Sequence, residues 1–162
     1  MKVIPEWSLR QKIDKTRIPY QDIDLHIREV CRLLNSLPFL ATTSSCEGHP
    51  HFDGNNWVAS GGISLEIYDD EKYHILIGLL DMECQSNYEG FNIGISRGLR
   101  YSTQGFIFYT DGIQWSTMAL TKEECEEQLK SIWNKLEYYV RKYLELEKHG
   151  VNWEEHLKWR KC

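Results

Sequence analysis

Residues 121–150 constrain the fold more than any other part of the chain. Thr121-Lys122-Glu123-Glu124 has the form of a capping box, in which an N-cap hydroxyl accepts from the third helical residue. Cys125, Leu129, Ile132, Trp133, Leu136, Val140, Tyr143 and Leu144 follow at helical spacing and draw one apolar stripe. Gly150 supplies the stop. At 1.5 Å per residue the predicted helix is about 40 Å long. One small sheet does not cover such a stripe, so its far end is expected to pack on a second subunit in a homodimer.

The rest of the chain supplies that sheet. Residues 22–34 repeat apolar side chains (Ile23, Ile27, Val30, Cys31, Leu34) with a helical period, with Asp22 as the expected N-cap. Residues 39–43 read as a short buried strand. Residues 61–68 alternate Ile63, Leu65 and Ile67 with Ser64, Glu66 and Tyr68, the pattern of a half-buried strand. Asp69-Asp70-Glu71-Lys72 is read as a turn into a second strand over 73–80, and 81–98 as irregular. A strand over 99–110, a hairpin turn at Asp111-Gly112 and a strand over 113–120 complete the set. Asn152 is expected to cap a short last helix carrying Trp153, Leu157 and Trp159. Strands followed by helices predict an α+β fold. Its largely antiparallel sheet has about five strands, with an N-terminal helix and the long C-terminal helix on one face. A single domain is expected over 1–162, divided into an arm (1–19), helix plus sheet (22–120) and C-terminal helices (121–162).

Composition excludes several classes. At 162 residues the chain can bury a core without disulfide staples. Its five cysteines, Cys31, Cys46, Cys84, Cys125 and Cys162, are odd in number and irregular in spacing. With no apolar leader at the N-terminus they read as reduced thiols in a cytoplasmic protein. No run of about 18 apolar residues is present, so no membrane span is predicted. A net charge of −5 weighs against a nucleic-acid partner, whose binding rests on phosphate neutralisation. There is no P-loop and no Gly-x-Gly-x-x-Gly.

The chemistry concentrates in residues 42–54, Thr-Thr-Ser-Ser-Cys-Glu-Gly-His-Pro-His-Phe-Asp-Gly. Three readings follow. In the first, a pocket over 42–57 binds a small molecule or anion as its partner. Thr43, Ser44, Ser45 and Gly48 offer hydroxyls and amides to it, and Trp57 a flat ring. Cys46, His49 and His51 are then the candidate catalytic groups, as nucleophile and base of a possible transferase. In the second, Cys46, His49, His51 and Asp53 ligate a metal; an extended 49–51 segment would project both imidazoles to one side. In the third, the chain is a non-catalytic oligomeric interaction module built on the long helix. The residues name no cofactor and do not decide whether the protein is an enzyme.

The stretch Leu34-Asn35 … Thr42-x-Ser44-Ser45-Cys46-x-Gly48 resembles a short motif of the wybutosine-synthesis methyltransferases, which act on a guanosine-derived base of phenylalanine tRNA. In that family a helix leads into a strand ending Thr-x-Ser-Ser-Cys-Ser-Gly-Arg, near the proposed cofactor and substrate site. The likeness is confined to residues 34–49, and position 49 is His here where the family has Arg. It implies that Ser44, Ser45, Cys46 and Gly48 line a pocket, with S-adenosylmethionine as the cofactor to test.

Overall fold

Thr121 caps the long helix as its sequence predicts, its hydroxyl accepting the Glu124 N–H at 3.2 Å. That helix is the last major element of the computed structural model, which describes residues 12–84, 91–101, 107–153 and 155. In chain order the elements are α1 (Leu25–Asn35), β1 (Leu40–Cys46), β2 (His51–Phe52), β3 (Trp57–Ile67), α2 (Asp70–Cys84), β4 (Phe91–Tyr101), β5 (Ile107–Ala119) and α3 (Lys122–Lys148). Among the described residues, two 3-10 turns, Lys15–Arg17 and Tyr20–Asp22, precede them. The helix α3 ends where Gly150 takes a φ of +68°, a conformation open to glycine without a Cβ clash.

The fold is α+β. Its antiparallel sheet has the order β1-β3-β5-β4, with the two-residue β2 beside the start of β3. The expected five strands are thus four long ones and this short addition. On β5, Ile113, Trp115 and Ala119 point inward, while Gln114, Ser116 and Met118 alternate outward into solvent. The inward residues join Ala59, Ile63, Leu65 and Ile67 of β3 and the buried stripes of the three helices in one hydrophobic cluster. Seven of the stripe residues predicted for α3, Cys125 through Tyr143, are buried there. Among the described residues no helix is long and apolar enough to cross a membrane.

Three local expectations differ from the structure. Residues 73–80 are helical, not a strand. Asp69 acts as a cap, its carboxylate accepting the amides of Glu71 at 3.1 Å and Lys72 at 3.2 Å. Tyr73, Leu76 and Leu79 then fall on one buried helical face. A short apolar run carries both periods, and tertiary packing chose the helical one. Because β3 and β4 each run antiparallel to β5, they are parallel to each other, and α2 is the crossover between them. Second, Asp111-Gly112 lies inside β5 and makes no hairpin turn. The two positions are paired on both sides, Asp111 with Leu65 and Arg97, Gly112 with Ser64 and Ser96. A ladder on both edges outweighs the local turn preference. Third, the boundaries over 81–110 differ: the region read as irregular over 81–98 contains the end of α2 and most of β4, and the single strand expected over 99–110 is divided between the end of β4 and the start of β5; residues 85–90 and 102–106 lie outside those described.

Two boundaries also move. The first helix starts at Leu25, and Asp22 closes the preceding 3-10 turn. The first strand runs through the Ser/Thr stretch to Cys46, with a bulge between Thr42 and Ser44. Asn152 accepts the Glu155 amide at 3.4 Å, as a cap does; residues 156–162 lie outside the described chain.

As an edge strand, β1 needs partners for the backbone groups it turns away from β3. Buried Asn35, the last residue of α1, supplies one. Its Oδ1 accepts the Thr42 N–H at 2.8 Å and its Nδ2 donates to Thr42 Oγ1 at 2.7 Å. Replacing Asn35 by Ala strands the buried Thr42 amide. It should lower the unfolding free energy by about 1–3 kcal/mol in denaturant titrations; no loss would mean that this amide has another partner.

Candidate functional site

The segment before α1 is tied alongside β1. The Ile13 N–H donates to the Tyr68 hydroxyl at 2.9 Å, and Asp14 accepts the amide and hydroxyl of Thr16 at 3.1 and 2.6 Å. The Lys15 ammonium donates to the carbonyl oxygens of Asn35, at 2.9 Å, and of Leu37. Burial, and then the charge of Lys12, hold that ammonium below the usual lysine range. Between this segment and β1 lies a cleft of about 700 Å³. Ile13, Ile18, Pro19 and Ile23 give it an apolar wall, and Thr42, Thr43, Ser44 and Ser45 a hydroxylated one. Arg17, Asp14 and Asp22 add charge to its lining.

Beyond Ser45 the chain enters a loop organised around Glu47. Asp24 stands at the N-cap of α1 but makes no capping bond to its own helix. Its Oδ2 instead accepts the Glu47 N–H at 2.9 Å. The Glu47 carboxylate takes over the cap, accepting the His26 N–H at 3.2 Å, with His26 Nδ1 3.0 Å from the same oxygen. A carboxylate at a helix N-terminus is stabilised by the free amides and the helix dipole. Two indoles donate to the Glu47 carbonyl: Trp115 Nε1 at 3.1 Å and Trp133 Nε1 at 3.0 Å. The His26 ring stacks on Trp133 at 4.4 Å.

Glycines make this convergence possible. A Cβ on Gly61 would sit 2.4 Å from Trp115 Nε1 and 2.6 Å from the Cys46 carbonyl oxygen. Gly48 takes a φ of +90° and is buried against Ser60 and Leu129.

The exchange of caps brings three donors together. The Asp24 carboxylate, Cys46 thiol and His49 ring present atoms within 4.8 Å of one another. His51 is exposed on β2, with Nδ1 3.3 Å from the His49 carbonyl. Asp53 accepts the amides of Asn55 and Asn56, each at 2.8 Å, and these bonds hold its carboxyl below the usual range. Neither belongs to the three-donor cluster. Trp57 is half-buried against the core, with Phe52 at 5.9 Å between ring centroids. Of the residues expected to bind a ligand, Thr43, Ser44 and Ser45 line the cleft, while Gly48 and Trp57 do not. Arg17, Asp22 and Asp24 were not anticipated. Asp24 is the second acid of Asp22-Ile23-Asp24 before an amphipathic helix, a position that reads simply as a cap.

No protein-family model matches the chain, and no curated protein matches it. Among solved structures, it is similar to the PH1069 protein from Pyrococcus horikoshii at 9% identity and a TM-score of 0.39, covering 78% of this chain and 84% of that one.

The three thiols among the described side chains divide sharply by environment. Cys46 is exposed, whereas Cys31 and Cys125 are buried. Burial pushes the Cys31 thiol up to about 11, a shift opposed by its hydrogen bond with Ser45. With an alkylating reagent at neutral pH, peptide mapping of the chelator-treated protein should find Cys46 modified before Cys31 and Cys125, and those two only on unfolding. Modification of Cys31 in the native protein would contradict this packing.

Proposed function

We propose that the chain binds a polar small molecule in the cleft between residues 13–23 and β1, and that a group transfer is the reaction class to test. The observation that carries this reading is the cleft itself. Its volume is that of a small-molecule site, and it sets an apolar wall against a hydroxylated one. Arg17 offers a fork of donors for an anionic group, and Asp22 an acceptor for an amine or hydroxyl. A ligand with both kinds of group suits the lining better than a simple anion, because Arg17 shares it with two carboxylates.

The likeness of residues 34–49 to the wybutosine-synthesis methyltransferases makes S-adenosylmethionine the first ligand to try. It carries an amino-acid head, a ribose and a flat base, matching the mixed character of the cleft. The Ser44 and Ser45 positions named by that likeness are lining residues.

Thermal unfolding should be followed with S-adenosylmethionine, S-adenosylhomocysteine and a panel of nucleotides. A ligand at 100 times its dissociation constant adds about 2.7 kcal/mol. Arg17→Ala and Ser44→Val should abolish that stabilisation and leave the unliganded midpoint nearly unchanged. Stabilisation that survives both substitutions would move the site elsewhere, and no response to any of these compounds would count against the reading.

A further inference from the structure

We propose that Asp24, Cys46 and His49 form a three-ligand site for a zinc-class divalent cation. Three chain segments deliver the donors: the N-cap of α1, the end of β1, and the loop between β1 and β2. Their oxygen, sulfur and nitrogen atoms lie within 4.8 Å of one another. Tetrahedral zinc with bond lengths near 2.0–2.3 Å needs donor separations of about 3.5 Å. Cys46 and His49 are exposed, which leaves their side chains room to rotate toward closer approach. A divalent cation would bind such a set by displacing the thiol proton, which couples its affinity to pH.

The donor set selects the ion. A thiolate and an imidazole favour zinc and its borderline-soft neighbours over magnesium or calcium, which prefer oxygen. A carboxylate and a thiolate together also balance the charge of a divalent ion. The surrounding bonds fit the role. Asp24 Oδ2 accepts the Glu47 amide, which orients the carboxylate as outer bonds orient metal ligands. The backbone of the loop is in turn held by two indoles on the Glu47 carbonyl.

Three protein ligands leave a fourth position of the tetrahedron for water or a ligand, the pattern of catalytic rather than structural zinc. Asp24 and Cys46 directly follow Ile23 and Ser45, which line the cleft. The donor cluster thus follows the cleft along the chain, and its assignment stands on the three donors and does not depend on what the cleft binds.

The test is a titration of the untagged full-length chain, after chelator treatment, with Co²⁺ and then competing Zn²⁺. One Co²⁺ per chain should bind, giving a tetrahedral visible spectrum and a thiolate-to-cobalt charge-transfer band in the near ultraviolet. Cys46→Ser should remove that band. His49→Ala and Asp24→Asn should each weaken binding by at least about tenfold. Asp24→Asn keeps an oxygen for the Glu47 amide, and an unchanged denaturation midpoint would confirm that its fold survives. His51→Ala and Asp53→Asn should leave binding unchanged. The proposal is overturned by the absence of stoichiometric binding, by a charge-transfer band that persists in Cys46→Ser, or by binding that requires His51 and Asp53 but not Asp24.

Discussion

The peptide of Glu47 leaves an edge strand and enters a half-buried loop, where its backbone groups must find partners other than a neighbouring strand. Asp24 takes the N–H, and Trp115 and Trp133 share the carbonyl. The side chain returns the favour to α1 by holding the His26 amide. Four elements thus meet at one residue: α1 through Asp24 and His26, β1 through the chain itself, β5 through Trp115 and α3 through Trp133. The two bonds that end on carboxylates, Glu47 N–H to Asp24 and His26 N–H to Glu47, are charge-assisted and stronger than the neutral indole–carbonyl pair. Their joint presence fixes where the loop can lie. Gly61 is a condition of the arrangement, because any side chain there would occupy the space of the Trp115 indole.

The two candidate binding features follow from what β1 does on leaving the core. Over Leu40 to Thr42 it is buried, and Asn35 closes its free edge. At the bulge after Thr42 it turns polar, and the segment carrying Ile13 to Ile23 stands off to leave the cleft. At Cys46 the exchange of caps with α1 begins, and the Asp24, Cys46 and His49 donors converge. Cleft and donor cluster are consecutive stretches of one strand facing one preceding segment.

How much of this was legible depended on how local each cause is. The capping box and stripe of α3 are encoded within the helix, and Thr121 and the buried residues up to Tyr143 stand where the pattern puts them. The α+β class followed from the same periodicities. The chemically dense stretch was also visible, since composition needs no structure. Segment 73–80 was not, because an apolar run that short suits either period until α3 and the sheet decide. Asp111-Gly112 carried a turn signal that two flanking strands overrode. Asp24 lies more than twenty residues before Glu47, and Arg17 and Asp22 meet β1 only through tertiary folding. No spacing rule connects such positions, so the partners of the Ser/Thr-Cys-His stretch were the least readable part of the site.

Amide hydrogen exchange of Glu47, followed by NMR, tests most directly whether the exchange of caps organises this region. The account predicts an amide far slower to exchange than those of exposed loop residues, and markedly accelerated by Asp24→Ala and by Trp133→Phe, which removes one indole donor from the carbonyl of the same residue. A Glu47 amide that exchanges as fast as an unprotected loop, or that is indifferent to both substitutions, would contradict it.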